Sequence, residues 1–364
     1  MVNKNYYNEM TKLIYQDLAW GPIYKKNDGA YIKDTDNKSE IYIKQSLKIM
    51  KIPLRSLKNK KVFNIGTGRE SRFFAKHGSE VTHLDIGEET VKELKAWAKK
   101  NSKKVHSFSS DIKNAEIGLN KYDIIFLSGI YQHIEKPAFA LVKFINALKK
   151  NGKMYMGFYR SGEFKYFIVD AIRYLMSLKQ ISEIRNMNAI LFTLAEVNHY
   201  QSSRVMDDFF VPKKHNFHPK DIIHDVKALG GKVFYIDNDM REYNHDPKKY
   251  FNSKYAVSRQ NTKNYFSLGA DRIYVKSKTN KIFNEKKIFK KLKTKKGKNQ
   301  IFNMNYKDKL IKNNIKLVKL IKSLYSKKYF DDEDIVALTV SMYQFARPFD
   351  MEKSYYYKKS ITDG

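Results

Sequence analysis

The chain has 364 residues, 42% of them hydrophobic and 14% aromatic, which is enough for a sizeable core and more than one domain. It has no cysteine, which excludes a disulfide framework, a thiolate zinc site and a cysteine nucleophile. Its net charge of +32 suggests a polyanionic partner, yet only 11 of its 70 basic residues are arginine, the residue best suited to phosphate forks and base edges, and the abundance of Asn, Ile, Tyr and Lys together is what an A/T-rich genome produces unselected.

Residues 1–60 read as a helical cap. Tyr6, Tyr7, Leu13, Ile14, Leu18 and Trp20 suggest a first helix, and Glu40 to Ile49 a second, with Ile41, Ile43, Leu47 and Ile49 apolar and Pro53 as its stop. The start of the chain is polar and does not read as a secretion signal, and no run is long and apolar enough for a membrane span, so the expected compartment is the cytoplasm. Lys61-Val62-Phe63-Asn64-Ile65 then predicts a buried strand, Gly66-Thr67-Gly68 a glycine turn, and Thr82-His83-Leu84-Asp85 a second strand ending in a carboxylate. That arrangement suits a nucleoside: glycines admit the ligand to the backbone and the acid takes ribose hydroxyls. A dinucleotide site would want Gly or Ala where Ser71 stands, and Glu70 would repel a pyrophosphate; Asn64 and Glu70 together point to a ligand with a cationic amino-acid end.

Further along, Ser109-Ser110-Asp111-Ile112 closes a short strand, and Tyr122 to Leu127 is a central buried strand followed by Ser128-Gly129. Ile130 to Pro137 leads into an amphipathic helix from Ala138 to Lys149, Asn151-Gly152 turns, and Lys153 to Tyr159 is the next strand. Helix 219–229 and strands Lys232 to Ile236 and Arg272 to Val275, an antiparallel pair, complete the pattern. The expected fold is α/β: a Rossmann-like, doubly wound, mostly parallel seven-stranded sheet, with the ligand at the carboxyl ends of its strands.

Asn64-Ile65-Gly66-Thr67-Gly68, Asp85, Ser110-Asp111-Ile112 and the Ser128-to-Pro137 segment resemble the successive motifs of class I S-adenosylmethionine-dependent methyltransferases of the small-molecule type, well over Val62 to Phe158 and more loosely on to Lys278. The resemblance implies S-adenosylmethionine as cofactor. It implies that Asn64, Ile65, Gly66, Thr67 and Gly68 line the methionine end, that Asp85 with Ile86 binds the ribose, that Ser110, Asp111 and Ile112 flank the adenine, and that Ser128, Gly129 and His133 close over the cofactor. The family usually has Asp or Glu at the place of Asn64, and often glycine at that of Glu70. Residues 161–218 fall where the family inserts a substrate lid, which gives three regions: 1–60, a methyltransferase domain at 61–278, and a basic linker with C-terminal helices at 279–364.

For the transfer itself, His133 and His199 are candidate general bases, since imidazole titrates near neutrality. Tyr159 is a candidate for catalysis and, with Arg160 and Tyr200, for orienting the substrate. His215, His218 and His224 lie near Asp207, Asp208 and Asp221, but the spacing matches no metal-ligand pattern, so no metal is expected. The expected activity is transfer of a methyl group to O or N of a small-molecule or saccharide acceptor. The chain lacks the Asn/Asp-Pro-Pro-aromatic signature of exocyclic amine methylation where Ser128 to Tyr131 stands, and lacks the cysteine that C5 methylation of pyrimidines uses. Two alternatives remain open: an RNA methyltransferase, carried by charge, and a non-catalytic binding module, hinted at by Asn64 and Glu70. Residues 276–328 hold nineteen lysines and two acids, a net 17 of the 32 charges, with Lys286 to Lys298 read as a solvated linker. The amphipathic helix Tyr306 to Tyr325 and a second helix after Asp331 and Asp332 suit a helical hairpin, within the chain or in a homo-oligomer; weak contact with an anionic membrane surface or RNA is the other reading.

Overall fold

A computed structural model describes residues 29–159, 215–238 and 270–295, together with Lys12. The chain divides into two compact units, and every described residue lies in the one formed by Met1–Arg160, Val211–Val257 and Ala270–Lys298. The expected first helix, the body of the 161–218 insertion, Arg160, His199, Tyr200 and the C-terminal helices fall outside the described residues.

Seven strands form one sheet: β1 (Lys61–Ile65), β2 (Glu80–Asp85), β3 (Val105–Ser109), β4 (Tyr122–Leu127), β5 (Leu148–Tyr159), β6 (Gly231–Asn238) and β7 (Ala270–Ser277), in the order β3-β2-β1-β4-β5-β7-β6. β1 to β5 are mutually parallel, and β7 runs antiparallel to both β5 and β6. In β1, Val62, Phe63, Asn64 and Ile65 are all buried, the pattern of a central parallel strand covered on both faces. The order reverses between β1 and β4, which opens a crevice at their carboxyl ends.

Helices cover both faces. On one lie α1 (Gly29–Ile49), α2 (Arg69–Lys76) and α3 (Glu88–Lys100), over a core that includes Ile43, Leu47, Val62, Phe74, Phe126 and Tyr155. α1 begins earlier than its apolar pattern predicted, and Ile41 is 61% exposed, because its buried stripe runs through Ile43, Leu47 and Met50 at helical spacing. Ser46 on that stripe meets the Tyr274 hydroxyl of β7 at 3.2 Å, a buried polar pair holding α1 to the sheet.

The other face carries α4 (Pro137–Ala147), α5 (Pro219–Ala228) and α6 (Glu285–Phe289). The sequence read α4 as amphipathic, yet Ala138, Leu141, Val142, Phe144, Ile145 and Asn146 are all buried. The reason is the chain after β7: Asn146 exchanges two hydrogen bonds with the Phe283 backbone at 2.9 Å, and Phe289 packs on Phe139 with ring centroids 4.5 Å apart.

That docking corrects the reading of Lys286 to Lys298 as a solvated linker, at least to Lys295: Leu292 and Thr294 are buried. Asp225 of α5, fully buried, accepts from Lys293 N, Thr294 N and the Thr294 hydroxyl, each at 2.7 Å. Thr294 in turn meets the Tyr131 hydroxyl at 3.2 Å. Asp225→Ala removes the acceptor from three donors at once. It is expected to destabilise the protein by about 3 kcal/mol, read as a lower urea midpoint at an unchanged slope.

Candidate functional site

The carboxyl ends of β1, β2, β3, β4 and β5 carry the residues singled out by the sequence. Gly66 ends β1 with φ +123° and Gly68 caps α2 with φ +80°, conformations that side chains rarely adopt. A Cβ on Gly66 would sit 3.2 Å from Ile130 Cδ1, so the segment after β4 lies directly over the glycine turn. Arg69 Nε donates to Thr67 Oγ1 at 2.8 Å and Arg72, buried, pairs with Glu93 at 2.7 Å, stapling the turn to α2 and α3.

Asn64 and Glu70 make framework contacts that the sequence argument did not foresee. The Asn64 amide is fully buried; its Nδ2 donates to Phe126 O of β4 at 2.8 Å, and its Oδ1 accepts from Ser71 Oγ at 2.7 Å. It therefore braces the switch point and the start of α2. The Glu70 carboxylate, also buried, accepts from the Tyr42 hydroxyl of α1, and burial and that neighbouring charge hold the phenol well above its ordinary pKa. Both side chains are thereby tied into the framework.

Asp85 stands partly exposed at the end of β2. Its Oδ1 accepts from Gly87 N at 2.6 Å, and its backbone carbonyl accepts from Ser110 N at 3.0 Å, which joins the two segments. Desolvation raises its pKa to about 7 against the pull of the Gly87 and Ile86 amides. Asp111 Oδ1 accepts from Lys113 N at 2.9 Å, while Ile112 is buried. The loop they begin is held by a residue the sequence reading missed: Lys143 of α4 donates to the carbonyls of Ile112, Lys113 and Ala115 at 3.0, 2.7 and 3.1 Å. A lysine in the middle of the apolar run Ala138 to Ile145 of α4 was the available signal.

After β4, Ser128 is half-buried and Gly129 has φ +67°. Gln132, fully buried and also missed, donates from Nε2 to Gly129 O at 2.6 Å and folds the segment into a tight turn. His133 lies at this turn's end, its ring perpendicular to that of Tyr159 at 5.8 Å. The chain returning from the insertion fastens both: His215 N donates to Gln132 O at 2.7 Å and Phe217 N to Tyr159 O at 2.9 Å.

His83 is the remaining omission, a polar residue in a strand interior like Asn64. It is fully buried on β2, with Nε2 2.7 Å from Gly66 O and Nδ1 2.8 Å from Ser107 Oγ. Desolvation lowers its pKa to about 4, so the ring is neutral at pH 7. His218 caps α5 by accepting from Lys220 N at 3.2 Å, and His224 pairs with Asp225 at 2.9 Å. Among the described residues no group of three or more His, Asp or Glu could hold a metal, and no helix is long and apolar enough to cross a membrane.

The arrangement fits S-adenosylmethionine: a turn of two positive-φ glycines after β1, with a carboxylate at the end of the neighbouring strand. A family model described as a methyltransferase domain matches residues 63–156, from β1 into β5. No curated protein matches the chain in sequence. Among solved structures, the chain is similar to an S-adenosylmethionine-dependent methyltransferase from Mesorhizobium loti (12% identity, 64% of this chain and 96% of that one, TM-score 0.41). It is also similar to a putative one from Listeria monocytogenes (16%, 65% and 96%, 0.41) and to PKMT2 from Rickettsia typhi in complex with AdoHcy (14%, 62% and 51%, 0.48).

The two titrating groups on β2 act on stability with opposite signs. The folded chain holds the Asp85 proton to about pH 7 and the unfolded chain only to 3.8, so its contribution is present below pH 4 and lost as pH rises through 7. His83, depressed from 6.5 to about 4, contributes above pH 6.5 and loses that contribution as pH falls through 4. Asp85→Asn is therefore expected to stabilise the ligand-free protein at pH 8 by on the order of 2 kcal/mol, discounted for partial exposure. Urea unfolding near pH 4 should show no such gain.

Proposed function

We propose that this chain, which belongs to the class I S-adenosylmethionine-dependent methyltransferase family, moves the methyl group to an oxygen or nitrogen of a small-molecule or saccharide acceptor. The observation that carries the reading is the meeting of His133 and Tyr159, rings 5.8 Å apart, beside the turn that Ile130 lays over Gly66. An imidazole and a phenol at the mouth of a cofactor cleft suit an acceptor with a proton to lose. The compact Ser128-to-His133 turn, held by Gln132, stands where methylation of base amines uses Asn/Asp-Pro-Pro-aromatic.

S-adenosylmethionine, when bound, supplies an electrophilic methyl group on a cationic sulfur. The protein's own work is positioning, water exclusion and proton removal. Gly66 and Gly68 let the backbone of Ile65 to Gly68 approach the methionine end, and Asn64 keeps that backbone in place. Asp85, beside Ile86, accepts from the ribose hydroxyls, while Ser110, Asp111 and Ile112 flank the adenine and Lys143 keeps their loop in shape. Ser128, Gly129 and His133 cover the cofactor, and His133 takes the acceptor's proton. The second candidate base of the sequence reading, His199, and its further substrate candidates, Arg160 and Tyr200, lie outside the described residues.

Calorimetry with S-adenosylmethionine tests the donor half. Wild type is expected to bind, and Asp85→Ala to weaken binding about a hundredfold, the worth of two hydrogen bonds to a charged group. Because the free carboxyl holds its proton to about pH 7 and the ribose needs it ionised, wild-type affinity should rise from pH 6 to 8, while Asp85→Asn should show no such rise. For the acceptor half, methyl transfer is screened over metabolite, glycan and RNA pools. Label appearing in RNA, with binding that falls steeply as salt rises, would replace the small-molecule reading by the one the charge suggests.

A further inference from the structure

Gly66 is held from the β2 side through both of its backbone polar groups, one on the peptide that enters it and one on the peptide that leaves it. Gly66 N donates to Leu84 O at 3.1 Å, and Gly66 O lies 2.7 Å from His83 Nε2. A carbonyl only accepts, so Nε2 carries the proton; Nδ1 is then the ring's lone pair and accepts from Ser107 Oγ, 2.8 Å away on β3. His83 and Ser107 are register partners and both are buried, so this relay runs inside the sheet.

We infer that His83 is a positioning residue for the cofactor turn: its Nε2–H fixes the Gly66–Thr67 peptide so that the Thr67 N–H is aimed away from β2 and toward the bound ligand. The inference rests on the reading of residues 64–68 as the cofactor turn. The physics is the planarity of the trans peptide, in which the carbonyl of one residue and the N–H of the next point in opposite directions. Pinning Gly66 O inward therefore turns Thr67 N–H outward. Gly66 has no Cβ and a φ of +123°, so its own torsions restrain this peptide weakly, and an outside bond has to choose its orientation. An apolar side chain at position 83 would fill the space but leave a buried carbonyl without a donor. Ser107 sets the tautomer, because without its hydroxyl the proton can move to Nδ1 and present a lone pair to Gly66 O. Among the described residues, the charge that acts on the ring is Arg72 from α2, which disfavours the imidazolium.

Nitrogen-15 NMR of the full chain labelled at histidine reads the ring directly. One imidazole is expected to stay neutral, with the proton on Nε2, from pH 8 down to pH 5, and its signal to be absent from His83→Gln. For S-adenosylmethionine, His83→Gln, whose amide can still reach the carbonyl, is expected to bind within a few-fold of wild type, and a folded His83→Leu at least tenfold more weakly, one lost hydrogen bond's worth. Ser107→Ala should mix the tautomers and fall between them. The inference is overturned by a proton on Nδ1, by titration near 6.5, or by unchanged affinity in His83→Leu. Should His83→Leu not fold, unchanged tautomer and affinity in Ser107→Ala overturn it equally. Failure of the wild type to bind S-adenosylmethionine would instead overturn the cofactor reading, and this inference with it, whatever the imidazole does.

Discussion

A buried carboxamide holds together the place on which the site depends. Asn64 reaches from β1 to Phe126 O on β4 and receives the Ser71 hydroxyl from α2. Those three elements meet where the strand order reverses, and there the sheet must part to admit a ligand without losing its register. An apolar residue at that position would pack, but would leave the seam between β1 and β4 without a polar fastening. The Gly66 turn, the His83 relay and the Ile130 lid over it all hang from that point.

Around this seam the structure repeats one device, a polar side chain from a neighbouring element satisfying the backbone of a loop at a strand end. His83 does so for Gly66, Lys143 for the Ile112–Ala115 carbonyls, and Gln132 for Gly129. Buried loops otherwise carry backbone groups that nothing pairs, at a cost comparable to a lost hydrogen bond each. The inner side of each loop is thereby closed. Asp225 applies the same device at the far side of α5, where it docks the chain around Thr294 and through it reaches Tyr131.

Much of this was legible one residue at a time. The buried runs of β1 and β4, Gly66 and Gly68 with their left-handed turns, Pro53 after α1 and Pro137 at the start of α4 all mark local backbone requirements that residue type alone conveys. The errors arose where a side chain's partner lies far along the chain. Glu70 looks like a charge in a ligand turn until Tyr42, 28 residues earlier, takes it. Ile41 looks like core until α1 settles on Ile43 and Leu47, and Lys286 to Lys295 look like a solvated tether until Phe289 packs on Phe139 of α4 and Leu292 is buried in the core.

By itself, then, the sequence determined the order of strands and helices along the chain, the glycine turn and the carboxylate that follows it, because each is written in short-range pattern and spacing. Tertiary structure alone decided which polar residues brace the frame, because that choice depends on partners such as Phe126 for Asn64, Ser107 for His83 and Ile112 for Lys143. These partners are adjacent only once the sheet has formed. Charge followed the same division: the lysines are countable in the sequence, but only the docking around Asp225 shows that the first of the basic C-terminal stretch is part of the domain.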